Sequence, residues 1–352
     1  MTSIDGPIIG WDIGGVNIKA VRLEQQGREM KNVRAALRPF EIWRDRESLT
    51  AVLRDVGEEL GMQGPHRVAV TMTAELSDVF RMKREGVLFV LDAIGRAFER
   101  TLVYPFALDG RFLSLDEARK APLKCAATNW LASALFISLH HSDCILMDIG
   151  STTTDIIPIR GGRVTSRGRT DTQRLVSGEL VYTGILRTNP NTVVDQVPVG
   201  GESCRVAAEY FATMADVYLV LGQLTAGEYT CPTADGRAKT IPAARERLAR
   251  LVCSDGQIMS EDEIHTLACY LREKQLQQIA EALFQVLSGL QDDVNPPLVV
   301  AGSGGSLAKE VAMRLNLQVI ELEREWGDKE LAAFPALAVA YLLAQEPTGR
   351  IG

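Results

Sequence analysis

Three short apolar runs in this chain break off in the same manner. Ile8-Ile9-Gly10-Trp11 meets Asp12 and then Gly14-Gly15. Ile145-Leu146-Met147 meets Asp148, then Gly150, four hydroxyl residues from Ser151 to Thr154, and a second carboxylate, Asp155. Leu298-Val299-Val300-Ala301 meets Gly302-Ser303-Gly304-Gly305. Continuous apolar runs bounded by glycine read as buried strands. Aligning Asp12 with Asp148 also aligns Gly14 with Gly150, so the first two stretches are copies of one strand–Asp-x-Gly–turn–strand unit. The third reads as a strand, a glycine turn and a helix start.

The pattern between these turns alternates strand and helix. Strands are predicted at Ile18–Leu23, Val33–Phe40, Arg67–Thr73, Leu102–Phe106, Ile156–Ile159, Arg163–Ser166 and Val319–Leu322, with Gly161-Gly162 as a hairpin turn. Helical apolar spacing predicts helices over Ser48–Leu60, Val87–Phe98, Leu123–Leu135, Ala207–Leu221, Ala243–Cys253, Glu261–Leu290 and Leu331–Ala344. Ser260 and Glu263 form a capping box, and Pro335 falls in the first turn of the last helix. Cys125, Asn129 and Ser133 make a second stripe at spacing four on the Leu123–Leu135 helix. Gly227–Ala238 reads as loop. Thr170–Leu175 and Ser177–Gly184 are rich in polar residues beside glycine, as a substrate loop would be.

With 352 residues there is room for two domains. The net charge of −7 and the lack of a long basic run argue against a nucleic-acid groove. Phosphate binding therefore has to come from loop amides, hydroxyls and metal. No apolar stretch reaches the roughly 20 residues of a spanning helix, and no basic-then-apolar leader opens the sequence, so a cytoplasmic protein away from the membrane is expected. The six cysteines form no Cys-x-x-Cys pair and are expected to be reduced core residues. The four histidines show no metal-ligand spacing, and His140-His141 suits a helix end.

The turns themselves suggest chemistry. Backbone amides and hydroxyls in a glycine turn can cradle phosphate oxygens, a helix start adds further amides, and a carboxylate alongside is suited to a hydrated Mg²⁺. Ligands of open α/β sheets gather beyond strand carboxyl ends, which makes Glu75 and Asp78 candidates after the Arg67–Thr73 strand. A solvated helix start would explain those two equally well. Asn129 either faces a ligand or makes a helix–helix hydrogen bond. Lys19 either neutralises phosphate or is a solvated strand residue.

The three turns, in this order, resemble the phosphate-one, phosphate-two and adenosine motifs of the actin-like ATPase fold shared by sugar kinases and heat-shock ATPases. That implies an α/β protein of two similar lobes of mixed sheet with helices around a central cleft. Residues 1–141 and 328–352 would form the first lobe. Residues 142–327 would form the second, with a helical insert at about 203–290. Gly10–Lys19, Thr71–Asp78, Ala126–Trp130, Asp148–Asp155, Gly178–Gly184 and Phe211–Tyr218 further resemble the hydantoinase/oxoprolinase-like proteins of the tetrahydromethanopterin-linked one-carbon pathway.

The resemblance implies an ether synthesis of methanofuran or methylofuran biosynthesis. An aminomethylfuran-methyl diphosphate condenses with the phenol of tyramine or its γ-glutamyl derivative, and pyrophosphate leaves. On this reading Asp12 and Asp148 hold Mg²⁺ through water. Gly14, Gly15, Asn17, Gly150, Ser151, Thr152 and Thr153 bind the diphosphate, Lys19 neutralises it, and Gly302, Ser303, Gly304 and Gly305 close over the rest of that substrate. Glu75 or Asp155 is the phenol's base. Asp78, Asn129, Glu179 and Thr183 line the substrate pocket. The partners are then two small molecules, a diphosphate and a phenolic amine, and the sequence is compatible with a homodimer. The same loops would serve an ATP-dependent small-molecule kinase or ATPase, or a non-enzymatic actin-like assembly protein, because fold does not fix chemistry.

Overall fold

In the computed structural model, residues 6–26, 29–62, 66–99, 101–290, 295–322 and 327–346 are described. The ends of the expected first lobe, residues 1–5 and 347–352, lie outside them. The chain divides into two compact units: Met1–Cys144 with Pro158–Thr170 and Glu321–Gly352, and Ile145–Ile157 with Asp171–Ile320.

The first unit is built on strands β1 (Ile8–Ile13), β2 (Asn17–Gln26), β3 (Glu29–Pro39), β4 (Arg67–Met72) and β5 (Leu102–Pro105), in the order β3-β2-β1-β4-β5. β1 to β3 form an antiparallel meander; β4 runs parallel to β1 and β5 parallel to β4. β1 and β4 are buried along their whole length, which is why both read as continuous apolar runs. Helices α1 (Leu49–Glu59), α2 (Lys83–Ala97), α3 (Leu115–Lys120) and α4 (Asn129–Ser138) follow in sequence.

The other sheet uses β6 (Cys144–Ile149), β7 (Thr154–Arg160), β8 (Arg163–Val164), β12 (Leu298–Ala301) and β13 (Val319–Glu321), with β9 (Leu180–Val181) paired to β7. Its order β8-β7-β6-β12-β13 repeats that of the first sheet position for position, and β12 runs parallel to β6 as β4 does to β1. Between β7 and β12 come α5 (Asp171–Ser177), the hairpin β10 (Gln196–Val199) and β11 (Glu202–Arg205), and helices α6 (Met214–Val220), α7 (Ile241–Arg250) and α8 (Glu261–Ser288). α9 (Gly305–Arg314) follows β12; α10 (Asp328–Ala332) and α11 (Phe334–Gln345) close the chain.

α11 packs on β1, β4 and α4 within the first unit. Its approach is so close that a Cβ on Gly10 would lie 2.0 Å from the Ala336 carbonyl oxygen. Ala336 and Ala340 supply the small surface that makes this possible.

Several expectations change. The helix expected from Leu123 starts only at Asn129. Pro122–Cys125 is a 3-10 turn, and Ala127 takes a left-handed φ of 49° that breaks the helical path. The helix expected from Ala207 begins at Met214, where Thr213 and Asp216 form a reciprocal capping box that competes with an earlier start. Leu331–Ala344 divides into α10 and α11 around Ala333. The polar Thr170–Gly184 stretch contains α5 and β9. Of the cysteines, Cys125, Cys144 and Cys231 are buried, whereas Cys253 and Cys269 are exposed; all six are free. Among the described residues, no helix is long and apolar enough to cross a membrane.

Candidate functional site

In the first unit, β1 carries Asp12 into the interior, where it is 5% exposed. Lys19 stands directly across the β1–β2 ladder, with Nζ 3.8 Å from Asp12 Oδ2. The turn after Ile13 is closed by the Gly14 amide donating to the Asn17 carbonyl at 2.9 Å. A Cβ on Gly14 would sit 2.9 Å from that same oxygen, whereas one on Gly15 would meet open space. The Phe40 and Ile42 amides donate to the carbonyls of Val16 and Gly15 at 2.9 and 3.1 Å and pin the turn laterally.

At the end of neighbouring β4, the Thr73 amide donates to the Ile13 carbonyl at 3.0 Å, and a 3-10 turn, Ala74–Leu76, follows. Glu75 in this turn is 2% exposed, not solvated. α2 presses on it, since a Cβ on Gly86 would lie 2.6 Å from Glu75 Cα. Asp78 is exposed. The Thr71 and Thr128 hydroxyls bond at 2.7 Å and tie β4 to the start of α4. Ala127 stands just before that contact, with half-buried Asn129 just after it. A left-handed alanine is a stored strain of the kind that collects at working sites. Nothing in the apolar pattern marks it.

The second unit repeats the turn. The Gly150 amide donates to the Thr153 carbonyl at 2.9 Å, the counterpart of Gly14 and Asn17. The Gly304 amide donates to the Ile149 carbonyl at 2.8 Å, the counterpart of Thr73 and Ile13. Asp148 is half-buried at the end of β6. Gly302, at φ 79°, lies against it: a Cβ there would be 2.2 Å from Asp148 Oδ1 and 2.5 Å from the Ile149 carbonyl oxygen. A Cβ on Gly304 would meet Ile149 Cγ2 at 2.4 Å. Gly302, Gly304 and the Gly150 turn therefore form one tight assembly, with Ser303 exposed and Gly305 opening α9. Among the described residues, no protein group accepts from the backbone amides of Gly15, Ser151 or Thr152. Ser151 and Thr152 pair their hydroxyls at 3.4 Å, and Thr153 is half-buried beside them.

A segment absent from the motif reading backs this turn. The Ile185 amide donates to the Gly150 carbonyl at 3.1 Å, and the Leu186 and Arg187 amides donate to the Ser151 carbonyl at 3.0 and 2.9 Å. Gly184 is obligatory there, because a Cβ would lie 2.5 Å from the Gly150 carbonyl oxygen. Arg187 thus meets the hydroxyl turn through its backbone amide, while its guanidinium lies close enough to Cys231 and Tyr210 to act on their acidity. Its sole signal in the sequence is its place three residues after Gly184.

Three further expected site residues, Asp155, Glu179 and Thr183, are buried and bonded to protein partners. Asp155 is buried and accepts from the Arg174 guanidinium, whose Nη2 also donates to the Glu179 carbonyl at 3.0 Å. Glu179 is 1% exposed and takes a hydrogen bond from Ser177 Oγ at 2.8 Å. Thr183 is 1% exposed, its hydroxyl accepting from Gln275 Nε2 at 2.7 Å. These residues support the turn from behind, and their polar atoms already serve protein partners.

Among the described residues, no group of three or more His, Cys, Asp or Glu side chains is arranged to hold a metal. The loops offer single carboxylates beside amides and hydroxyls. That donor set fits Mg²⁺, which keeps most of its waters and takes one or two carboxylates, better than it fits a dehydrated cation cage.

The hydantoinase/oxoprolinase family profile matches residues 66–346. The (4-{4-[2-(γ-L-glutamylamino)ethyl]phenoxymethyl}furan-2-yl)methanamine synthase of Methanocaldococcus jannaschii is 34% identical over 342 residues, covering 96% of this chain and 98% of the relative. The protein of the same name from Methanococcus vannielii is 32% identical over 215 residues, covering 59% of this chain and 94% of the relative. Among solved structures, nucleotide-free acetone carboxylase, from work on ATP-dependent acetone carboxylation, aligns with a TM-score of 0.61 at 12% identity, covering 95% of this chain and 70% of that one. At that identity the likeness shows the fold alone, the actin-like ATPase fold.

Proposed function

The chain belongs to the hydantoinase/oxoprolinase family, and from that premise we propose that it is an ether-forming alkyl transferase of methanofuran biosynthesis. It joins an aminomethylfuran-methyl diphosphate to the phenol of γ-glutamyltyramine or a close analogue. The observation that carries this reading is 34% identity over nearly the whole length of a synthase named for such an ether product.

In this reaction the methylene–oxygen bond to the diphosphate breaks, pyrophosphate departs, and a methylene–oxygen bond to the phenol forms. The furan oxygen shares the positive charge that develops on the methylene. Catalysis then needs donors for the departing pyrophosphate and an acceptor for the phenol proton. Donors aimed in advance at growing negative charge are commonly the largest catalytic contribution. In the second unit the amides of Ser151 and Thr152 and the hydroxyls of Ser151 to Thr153 are such donors; in the first, the Gly15 amide and the Lys19 ammonium are. Lys19 neutralises Asp12 across the ladder before substrate arrives. The amides of Ser303 and Gly305, at the start of α9, bind the remaining oxygens of the diphosphate substrate. Asp12 in one unit and Asp148 in the other are each suited to a hydrated Mg²⁺, which would add charge neutralisation on the leaving group.

Glu75 takes the phenol proton. An ordinary phenol has a pKa of about 10, so attack near neutral pH benefits from a base. The carboxylate of Asp155, the alternative base, is engaged by buried Arg174. Asp78, on the loop after β4, and Asn129, the first residue of α4, contact the phenolic amine.

The decisive experiment is mass spectrometry after mixing the protein, Mg²⁺, the furan-methyl diphosphate and tyramine or γ-glutamyltyramine. The expected result is an ether product with one pyrophosphate released per ether formed. ATP hydrolysis with no ether under the same conditions would replace this reading with that of an ATPase.

A further inference from the structure

Gln275 lies in the middle of α8 and is fully buried among Leu271, Leu276 and Ile279. A primary amide in such a place is costly unless its hydrogen-bonding groups are used, and here both ends are. Nε2 donates to Thr183 Oγ1 at 2.7 Å and to the Gly184 carbonyl at 2.9 Å, while Oε1 accepts from the Tyr218 hydroxyl at 2.6 Å. The carbonyl can only accept, which fixes which end of the amide faces Gly184. The remaining hydroxyls then order themselves in one direction. Thr183, having accepted, donates to Thr188 Oγ1 at 3.4 Å, and Thr188 donates to the Gly184 carbonyl at 3.0 Å while accepting from the Gly184 amide at 2.8 Å. Every donor in the chain from Tyr218 points toward Gly184.

Gly184 begins the strap that bonds the Gly150 and Ser151 carbonyls through the amides of Ile185, Leu186 and Arg187. In a planar trans peptide the C=O and the following N–H point in opposite directions. Drawing those two carbonyls toward the strap therefore turns the Ser151 and Thr152 amides away from it. We propose that Gln275 is a positioning residue that aims these two amides by fixing the strap behind them; their use as diphosphate donors rests on the function proposed above.

The test compares Gln275→Met, Gln275→Glu and Tyr218→Phe with the unaltered protein. Three quantities are read: hydrogen exchange at the Ile185, Leu186 and Arg187 amides, binding of Mg²⁺–pyrophosphate, and KM and kcat for each substrate. In Gln275→Met the three amides should exchange at least about tenfold faster, and KM for the diphosphate substrate should rise about tenfold. KM for the phenolic amine should stay unchanged. Gln275→Glu should do no better, because an ionised carboxylate would face the Gly184 carbonyl. Tyr218→Phe, which leaves both Nε2 bonds in place, should shift these readouts by about threefold.

A residue that merely fills the core would leave all three amides protected and both KM values unaltered in the folded fraction, and that result overturns the proposal. If neither Gln275 variant folds, Tyr218→Phe and Thr183→Val carry the same comparison. Faster exchange in the variants of a protein that binds no pyrophosphate would uphold the positioning and defeat the function.

Discussion

Gly302 and Asp148 are in contact so tight that no other residue type fits at position 302: a methyl group there would stand 2.2 Å from the carboxylate oxygen. Gly302→Ala also has to hold φ 79°, a conformation that costs a non-glycine residue roughly 1 kcal/mol. The carboxylate and the end of β6 must both shift. Displacements of about 1 Å at a reacting group can lower turnover about a hundredfold. Gly302→Ala should lose at least that much activity, with a lowered melting temperature. Gly256→Ala, where a Cβ meets open space, should change neither. Full activity in Gly302→Ala would remove Asp148 from the site.

Asp12→Asn and Asp148→Asn should each abolish ether formation in a folded protein. For Asp12→Asn, the lost pairing with partly exposed Lys19 should change stability by less than about 1 kcal/mol. The thermal shift produced by Mg²⁺–pyrophosphate should vanish in both variants. If turnover survives in both, neither carboxylate serves the metal.

Arg247 and Asp216 are both fully buried and joined by bonds of 2.9 and 2.7 Å. Burial works against the charged guanidinium, but the hydrogen bonds and charge of Asp216 outweigh it and hold Arg247 above its usual range. Removing Arg247 leaves the buried Asp216 charge without its ion partner, at about 3–5 kcal/mol. Arg247→Met should therefore unfold at much lower denaturant concentration. The double variant Arg247→Leu with Asp216→Leu should be less destabilised than Arg247→Met. A single variant as stable as the parent would show that the pair is dispensable.

Burial pushes the Cys125 and Cys144 thiols from an ordinary 9.0 up to about 12. A thiol whose pKa is higher folded than unfolded contributes stability that is intact below the unfolded value and lost as pH rises through the folded one. Denaturant midpoints should therefore fall between about pH 9 and 12. Cys125→Ala with Cys144→Ala should flatten that slope. At neutral pH a thiol-alkylating reagent should label Cys253 and Cys269, which are exposed, and spare these two. Rapid labelling of Cys125 in native protein would show that the core opens.

The elements that could be read from the residues were those whose apolar runs end in an aspartate or glycine, because a buried strand and an obligatory turn leave a local trace. The duplicated Asp-x-Gly units gave away the repeat behind the two sheets. The break before Asn129 left no such trace: Leu123, Ala126, Ala127 and Trp130 keep helical spacing, and the extended Ala126 and left-handed Ala127 interrupt the path. Gln275 was hidden for a different reason. A lone amide within a long amphipathic helix matters only through Thr183 and Gly184, some ninety residues away in sequence. The bonds of Arg174 to the Asp155 carboxylate and the Glu179 carbonyl left no trace either, because they depend on how the chain folds back between α5 and β7.

The bare backbone of Gly10, pressed against the Ala336 carbonyl, has an effect on biosynthesis. The first strand emerges from the ribosome long before the helix that covers it. Domains generally fold as units during synthesis, but this one needs α11 to cover its sheet, so β1 and β4 must wait with an apolar face uncovered until residue 345 has been made. A chain truncated before Phe334 should accordingly be a client for chaperones and proteases, even with every residue of both aspartate turns in place.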